Sequence, residues 1–192
     1  MNDFIFHNPN KVYFGKNQLK HLPEELLKFG KKILLVYGGG SIKKNGLYDS
    51  VTELLKSNDL EVFELAGVEP NPRHTTANKG AQICKQENID VVLAVGGGST
   101  IDCANGVAAA AVTESGDGWP LVSNGVWVTK ALPVVAILTN AATGSEMDAW
   151  AVISNIDTNE KIGLGGSALV PRDAFENPEL SFSLPTYQTA CG

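Results

Sequence analysis

The residue types best suited to chemistry lie in a glycine turn, Gly96-Gly97-Gly98-Ser99, which follows the apolar run Val91 to Val95. An apolar run closed by glycines is typical of a buried parallel strand that ends in a tight turn. Because glycine has no Cβ, the backbone N–H groups of such a turn can approach a ligand closely. A helix predicted from Thr100 to about Val112 adds the positive end of its dipole. The turn therefore predicts a site for a phosphate or pyrophosphate.

The glycine turn allows a second interpretation. It is not G-x-G-x-x-G and lacks the G-K-[ST] of a P-loop, so neither nucleotide-binding pattern applies. It could equally be a strand-to-helix turn that needs glycine and binds nothing. Ser99 and Asp102 have the S-x-x-D spacing of a capping box, in which side chains bond backbone N–H groups at a helix start. We therefore expect Ser99 to be the N-cap.

Two other loops rich in Gly, Ser and Thr also follow predicted buried strands. The turn Gly38-Gly39-Gly40-Ser41 comes after Ile33 to Tyr37, and the loop from Thr139 to Ser145 comes after Pro133 to Leu138. Ligands of open α/β sheets bind at the carboxyl ends of the strands. Three such loops at one sheet edge predict a nucleotide-binding cleft.

Strand and helix patterns alternate along the chain, with a repeat close to thirty residues. This alternation predicts βαβ units with right-handed crossovers, and hence an α/β, Rossmann-like parallel sheet. The predicted helices are Leu19–Leu27, Leu47–Leu55 and Thr75–Glu87, and a further short strand is predicted around Val62.

The two ends of the sequence carry weaker patterns. Phe4 to Phe14 reads as an extended segment placed to pair at a sheet edge or across a dimer. Val152 to Ile156 and Ala168 to Val170 are expected to be short strands of a small β appendage. Pro171 to Pro185 is interpreted as a connection, and Thr186 to Gly192 as the cut-off start of a helix.

Composition excludes several function classes. The 192 residues include 15 Lys and Arg against 21 Asp and Glu, a formal charge of −6. This balance argues against nucleic acid or an anionic membrane as partner. We expect a cytoplasmic protein, since the chain opens Met1-Asn2-Asp3 without a signal peptide and Cys84, Cys103 and Cys191 read as reduced thiols. The three histidines show no metal-ligand spacing, so no metal site is predicted.

Several motifs together match a known family. They are Phe14-Gly15, Tyr37 to Gly46 (YGGGSIKKNG), Gly67 to Arg73 (GVEPNPR), Gly96 to Asp102 (GGGSTID), Ala142 to Met147 (ATGSEM), Asn159-Glu160-Lys161 and Leu184-Pro185. With these motifs the sequence resembles the N-terminal half of the iron-containing (group III) alcohol dehydrogenases, and within them the NADPH-dependent, butanol-dehydrogenase-like branch. The resemblance covers essentially the whole chain.

The resemblance implies a dinucleotide-binding domain at residues 1–185, with residues 186–192 as the truncated start of an all-helical metal-binding domain that is otherwise absent. It implies an NADP(H)-dependent alcohol dehydrogenase or aldehyde reductase acting on a small alcohol or aldehyde. The divalent metal, iron or zinc, belongs only to the complete enzyme. We therefore expect the fragment to be inactive, name no catalytic residue in it, and expect a homodimer through the N-terminal strand.

By the resemblance, the cofactor-binding residues are Gly38, Gly39, Gly40, Ser41, Asn71, Gly97, Gly98, Ser99, Asp102, Thr139, Asn140, Thr143, Ser145, Lys161 and Leu180. Gly97 to Ser99 would hold the pyrophosphate, and the Thr139 to Ser145 group the adenine and its ribose. Asp102 and Lys161 would lie at the nicotinamide side, although Asp102 could simply cap the helix and Lys161 could be a solvated hairpin lysine.

The remaining assignments have structural alternatives. Asn71 borders the cleft in the family but lies between two prolines, where asparagine is common in turns. Leu180 would line the cleft floor or simply pack in the core. Trp119 and Trp150 are interpreted as packing residues. Asp148 stands where this branch more often has Asn.

The choice of NADP(H) follows from the Gly38–Ser41 turn. Sites selective for NAD usually place a carboxylate beside the adenosine ribose. This turn has no Asp or Glu before Asp49, leaves room for a 2′-phosphate, and is followed by Lys43 and Lys44. The alternative functions are a relative of glycerol dehydrogenase or dehydroquinate synthase, and a non-catalytic nucleotide-binding module.

Overall fold

A six-stranded, all-parallel sheet forms the centre of the computed structural model, which describes residues 3, 5 and 7–191. The strands are β1 (Lys11–Phe14), β2 (Lys32–Tyr37), β3 (Glu61–Leu65), β4 (Val91–Gly96), β5 (Val134–Leu138), β6 (Trp150–Asn155), β7 (Glu160–Gly165) and β8 (Asp173–Glu176). The sheet has the order β1-β8-β5-β4-β2-β3, and β6 and β7 form a separate antiparallel hairpin.

Helices cover both faces of this sheet. They are α1 (Leu22–Leu27), α2 (Ser41–Lys44), α3 (Leu47–Lys56), α4 (His74–Glu87), α5 (Gly98–Ala111), α6 (Trp119–Ser123) and α7 (Thr186–Cys191), with 3-10 turns at Gln18–His21, Ser167–Leu169 and Pro178–Ser181. Within the described residues, no helix combines the length and apolar character needed to cross a membrane.

The apolar runs of the central strands explain the two-sided packing. Alternate residues of a strand point to opposite faces, and Leu34 and Val92 pack with α4 and α5, whereas Ile33 and Leu93 pack with α1 and α3. All four side chains are fully buried. The predicted α/β, Rossmann-like fold with a small β appendage is thereby confirmed.

The strand order places a cleft between β2 and β4. The chain runs from β2 to β3 on one side, then crosses back and adds β4 on the other side of β2. Such a reversal opens a crevice at the carboxyl ends of the two strands. Both glycine turns, Gly38–Ser41 and Gly96–Ser99, lie at this point.

Two predicted elements are wrong. Ala168 to Val170 is not a strand, because Ser167–Leu169 forms a 3-10 turn and the partner of β6 is β7. The Pro171–Pro185 segment is not merely a connection, since it contains β8, which pairs with both β1 and β5.

The predictions for the two ends are confirmed only in part. β1 begins at Lys11 and lies at the sheet edge, as expected, whereas Phe4 and Phe6 of the predicted segment lie outside the described residues. Helix α7 occupies the predicted C-terminal position, and Gly192 also lies outside the described residues.

The expected capping box does not form. Helix α5 begins at Gly98, so Ser99 already lies inside its first turn and Gly97 is the N-cap. The carbonyl of Gly97 accepts the N–H groups of Thr100 and Ile101, which starts the helix two residues earlier than predicted. Asp102 instead accepts the backbone N–H of Val152 on β6, at 2.9 Å.

Candidate functional site

The start of α5 presents backbone donors beneath a polar loop. The N–H groups of Gly98 and Ser99 belong to the first turn of this 14-residue helix and have no carbonyl partner within it. A Cβ at Gly98 would lie 2.5 Å from Oγ1 of Thr143, and one at Gly97 would lie 3.6 Å from Cβ of Asn140. The loop from Thr139 to Ser145 thus covers the turn so closely that a side chain at position 98 would force Thr143 to shift.

Within that loop, the hydroxyl oxygens of Thr143 and Ser145 are 2.8 Å apart, and Ser145 is buried. The N–H of Thr139 donates to the carbonyl of Gly96, which ties the loop to the end of β4. Four sequence-predicted residues, Thr139, Asn140, Thr143 and Ser145, are therefore held against the glycine turn.

A second group joins three distant parts of the chain at the same turn. The backbone N–H of Asn71 donates to Oγ of Ser99 at 3.3 Å, and Nζ of Lys161 donates to Oδ1 of Asn71 at 2.7 Å. Asn71 adopts the left-handed conformation, with φ 56°, which asparagine tolerates better than most residues. The loop after β3 and the hairpin strand β7 thus meet the start of α5.

Asp102 lies one turn into α5 and is 9% exposed. Its Oδ2 accepts the N–H of Val152, and its Oδ1 has no hydrogen-bond partner among the described residues. Burial raises the pKa of this carboxyl most strongly, whereas the Val152 N–H and the Ser145 hydroxyl lower it, and the nearby Asp148 raises it. The site therefore holds a buried carboxyl beside the hairpin.

The Gly38–Ser41 turn is more open than the α5 turn. A Cβ at Gly39 or Gly40 would meet no heavy atom of the described residues within 4 Å, and Gly40 has φ +107°. A Cβ added at Gly38 would lie 3.4 Å from the carbonyl oxygen of Val68, which is an ordinary van der Waals distance. The turn therefore leaves space at the carboxyl end of β2.

The surroundings of Lys43 could not be read from local sequence. Its Nζ lies 4.4 Å from the ring centroid of Tyr48 and 5.0 Å from that of Tyr37. Both phenol groups donate to Glu64 on β3, at 2.6 Å for Tyr37 and 2.5 Å for Tyr48. Hydrogen bonding to Tyr37 raises the pKa of Lys43. A carboxylate thus lies near the turn, although it comes from the neighbouring strand.

Leu180 lines a different part of the sheet edge. It lies in an apolar recess with Leu47, Ile137 and Phe175, and is only partly buried. An adjoining recess is bordered by Thr139 and Asn140 and shares Glu176 and Asn177 with the first. Leu180 therefore borders a recess that adjoins the one next to the Thr139 loop.

Glu176 borders the same sheet edge and was not predicted as a candidate from the sequence, because it ends the unpredicted strand β8. It borders both recesses, and its Oε1 is buried without a partner among the described residues. Burial raises its pKa, and the proximity of Glu146 raises it further. No local pattern in the sequence marks this residue.

Comparison with known protein families identifies the family of this chain. A family model described as iron-containing alcohol dehydrogenase matches residues 9–178. The chain belongs to the iron-containing alcohol dehydrogenase family.

The most informative relatives agree on this family and differ in cofactor. NADH-dependent butanol dehydrogenase A of Clostridium acetobutylicum is 50% identical over 192 residues, which is 100% of this chain and 49% of the relative. NADPH-dependent aldehyde reductase YqhD of Escherichia coli is 37% identical over 194 residues, covering 100% and 49%. The crystal structure of NADH-dependent butanol dehydrogenase A from Thermotoga maritima superposes with a TM-score of 0.93 at 44% identity, covering 98% and 48%. The chain thus spans about half the length of these relatives.

The name of this alcohol dehydrogenase family implies iron. Among residues 3, 5 and 7–191, no three His, Cys, Asp or Glu side chains form a group that could hold a metal ion. Asp102 and Asp148 are the carboxyls beside the hairpin, and they are not joined by a third ligand. The described part of the chain does not fit a metal centre on its own.

Proposed function

We propose that this chain is the cofactor-binding half of a metal-dependent alcohol dehydrogenase or aldehyde reductase, and that its cleft holds a nicotinamide dinucleotide. One observation carries the proposal: at the β2–β4 crevice, the first N–H groups of α5 lie beneath the Thr139–Ser145 loop. Donors and dipole together favour a pyrophosphate at this point. In this proposal residues 1–185 form the dinucleotide domain and 186–192 begin a helical one.

The residues of the cleft then have distinct tasks. Gly98 and Ser99 donate backbone N–H groups to the pyrophosphate, and Thr139, Asn140, Thr143 and Ser145 in the loop above them border the adenine and its ribose. Lys161 and Asp102 border the opposite end, where the nicotinamide would lie. When bound, the cofactor supplies a hydride acceptor or donor for an alcohol or aldehyde carbon.

No step through a metal is assigned to the described residues, because they do not form a metal site. The substrate proposed for the whole enzyme is a small alcohol or aldehyde, and this chain alone is expected to bind cofactor without turnover. We also place the protein in the cytoplasm, which suits its buried free thiols, Cys84 and Cys103.

Within this function we propose NADP(H) as the cofactor. The Gly38–Ser41 turn contains no carboxylate and is open at Gly39 and Gly40, which leaves room for a 2′-phosphate, and Lys43 adds positive charge nearby. NAD(H) is the second candidate. It is favoured by Glu64, which lies behind the turn, and by relatives at 50% identity that are described as NADH-dependent.

Titration calorimetry of the chain with NADPH and NADH separates the two cofactors. Tighter binding of NADPH supports the proposal, and equal or tighter binding of NADH overturns the cofactor choice. Gly40→Asp should weaken NADPH binding more than NADH binding, since a carboxylate repels the 2′-phosphate. Gly39→Asp is the control variant at the neighbouring position.

The chain alone is also expected to show no turnover. Alcohol-dependent reduction of NADP by the chain alone would contradict this expectation.

A further inference from the structure

Three asparagines of the chain are followed directly by glycine, in the pairs Asn45-Gly46, Asn105-Gly106 and Asn124-Gly125. An asparagine in such a pair can lose its side-chain amide without an enzyme, because the backbone nitrogen of the next residue can attack the side-chain carbonyl carbon. Glycine favours this reaction, since it has no Cβ to obstruct the approach and lets the backbone rotate freely. The fold then determines which of the three pairs can react.

Two of the pairs are protected by their surroundings. Asn105 is fully buried in the middle of α5, where the helix holds the backbone on both sides. Asn124 is exposed, but the N–H of Gly125 donates to the carbonyl of Val122 at 3.1 Å, so this nitrogen is already engaged. Both pairs are therefore held away from the geometry of attack.

Asn45 has neither form of protection. It is exposed at the junction between α2 and α3. Among the described residues, the N–H of Gly46 donates to no backbone carbonyl. A Cβ at Gly46 would meet no heavy atom of these residues within 4 Å, so the backbone at this junction has space to rotate.

A hydrogen bond also brings the reacting groups of this pair together. The N–H of Leu47 donates to Oδ1 of Asn45 at 3.2 Å. A bond of this kind, from residue i+2 to the side chain of residue i, folds the side chain back along the chain. The side-chain carbonyl of Asn45 is thereby brought beside the nitrogen of Gly46. The bond also withdraws electron density from this carbonyl, which makes its carbon a better electrophile.

We propose that Asn45 is a site of spontaneous deamidation, and that the carboxylate formed there lowers the affinity of the adjoining glycine turn for NADP(H). The effect on the cofactor rests on the proposed function, because it requires a 2′-phosphate at the Gly38–Ser41 turn. The deamidation itself does not depend on that function.

The reaction needs water but no oxidant or reductant. The nitrogen of Gly46 gives up its proton to solvent and forms a bond to Cγ of Asn45, while the bond from Cγ to the side-chain nitrogen breaks. The amide nitrogen takes up a proton and leaves as ammonia, and a succinimide ring remains. Water then adds to one of the two ring carbonyls and opens the ring. The product is aspartate or isoaspartate, and in both a carboxylate replaces the neutral amide.

The new charge would lie close to the cofactor turn. The N–H of Asn45 donates to the carbonyl of Ser41 at 3.2 Å, so position 45 follows the glycine turn by one helical turn. Lys43 and Lys44 are the cations between them. A carboxylate at position 45 offsets part of their positive charge and repels a 2′-phosphate. NADH lacks this phosphate and should be affected less.

Peptide mapping by mass spectrometry tests the site itself. The chain is held in mildly alkaline buffer, and conversion of each of the three asparagines is followed in the folded protein and in urea. In the folded chain, Asn45 should convert at least tenfold faster than Asn124 and Asn105. In urea the three rates should agree within about threefold, because the fold no longer separates the pairs. Equal rates in the folded chain, or protection of Asn45, would overturn the proposal.

Calorimetry of fresh and aged protein tests the effect on the cofactor. Ageing should raise the Kd of NADPH two- to fivefold in wild type and equally in the control variant Asn124→Gln, and should raise the Kd of NADH less. In Asn45→Gln, ageing should change neither Kd, since glutamine cannot form the same ring. Asn45→Asp should reproduce the loss of NADPH affinity without ageing.

Two results in calorimetry would decide against the effect on the cofactor. Unchanged NADPH affinity in aged wild type whose Asn45 has converted would overturn that effect alone. Failure of fresh protein to bind NADPH or NADH would overturn the proposed function and the cofactor effect together, while peptide mapping would still decide the deamidation site. The two failures are therefore distinguishable.

Discussion

At the scale of single residues, the cleft depends on the absence of a side chain at Gly98. An added methyl group would meet Oγ1 of Thr143 at 2.5 Å, disturb its contact with Ser145, and occupy space above the α5 N–H groups. We expect Gly98→Ala to weaken dinucleotide binding at least tenfold. Overpacking of this kind also destabilises a fold by about 1–3 kcal/mol, so binding is measured by calorimetry alongside urea unfolding.

A double variant separates the two effects of that methyl group. Thr143→Ala removes the hydroxyl that the methyl would meet, so stability should recover in Gly98→Ala/Thr143→Ala. Nucleotide binding should remain weak, because the methyl still covers the N–H donors. Recovery of both would mean that Gly98 serves packing alone.

Individual residues also show what the sequence could and could not predict. The turn Gly97–Ser99 was predictable, since a buried strand, glycines and a helix start are local patterns. The contacts that join Ser99, Asn71 and Lys161 were not derivable from local pattern. Asn71 lies 28 residues from Ser99 and Lys161 lies 90 residues from Asn71, so only the fold joins them. The capping box failed because Gly97, in extended conformation, already begins the helix.

At the scale of elements, β7 provides a matched pair of glycines for testing the hairpin. A Cβ at Gly165 would approach Trp150 to 2.7 Å and Trp127 to 3.0 Å, whereas one at Gly163 would lie at an ordinary 3.5 Å from Trp150. We expect Gly165→Ala to lower the free energy of unfolding by about 1–3 kcal/mol. Gly163→Ala should change it by less than about 0.5 kcal/mol. Equal effects of the two in urea titrations would contradict the packing described for the indole pair.

The junction of β1, β8 and α1 is expected to respond to pH. Asp173 is 3% exposed, and burial, followed by repulsion from Glu25, raises its pKa from 3.8 to about 6. The folded chain therefore holds a proton that the unfolded chain loses, so this group's contribution to stability falls as pH rises from about 4 to about 6. Glu25 itself is paired with Lys11, Lys28 and Tyr13.

Asp173→Asn removes that titration. Relative to wild type, the variant should gain about 1 kcal/mol of unfolding free energy between pH 5 and pH 7.5, since one pKa unit corresponds to about 1.4 kcal/mol. Glu24→Gln on the exposed side of α1 is the control and should show no such change. Urea unfolding of both variants across this pH range measures these changes. A loss of unfolding free energy by Asp173→Asn relative to wild type as the pH rises would contradict a buried carboxyl at position 173.

The elements that could be predicted are those with long periodic or apolar runs. β2, β4 and β5 were predicted because each is an uninterrupted buried run. β8 was not, because its four residues begin and end with carboxylates and gain their structure from β1 and β5 on either side. Pairing with β1 and β5, which are distant in sequence, makes this segment a strand and thereby fixes the position of Glu176.

At the scale of the whole molecule, we propose association through β1. This strand ends the sheet, with β8 on one side and no described strand on the other, and Val12 and Phe14 are 39% and 65% exposed. Such an edge invites pairing with a second copy. Sedimentation equilibrium should show a homodimer, and Phe14→Lys should raise its Kd at least tenfold. Ile156→Lys, on the hairpin turn, is the control, and a strictly monomeric wild type would contradict the proposal.

Backbone amide NMR can show whether a bound dinucleotide places its pyrophosphate on the first turn of α5. NADPH and NADH are titrated into the ¹⁵N-labelled chain, and the chemical shifts of assigned amides are followed. The amides of Gly98 and Ser99 should move most, together with those of Asn71 and Thr143. Unchanged Gly98 and Ser99 amides at saturating nucleotide, or shifts confined to another surface such as α3, would contradict it.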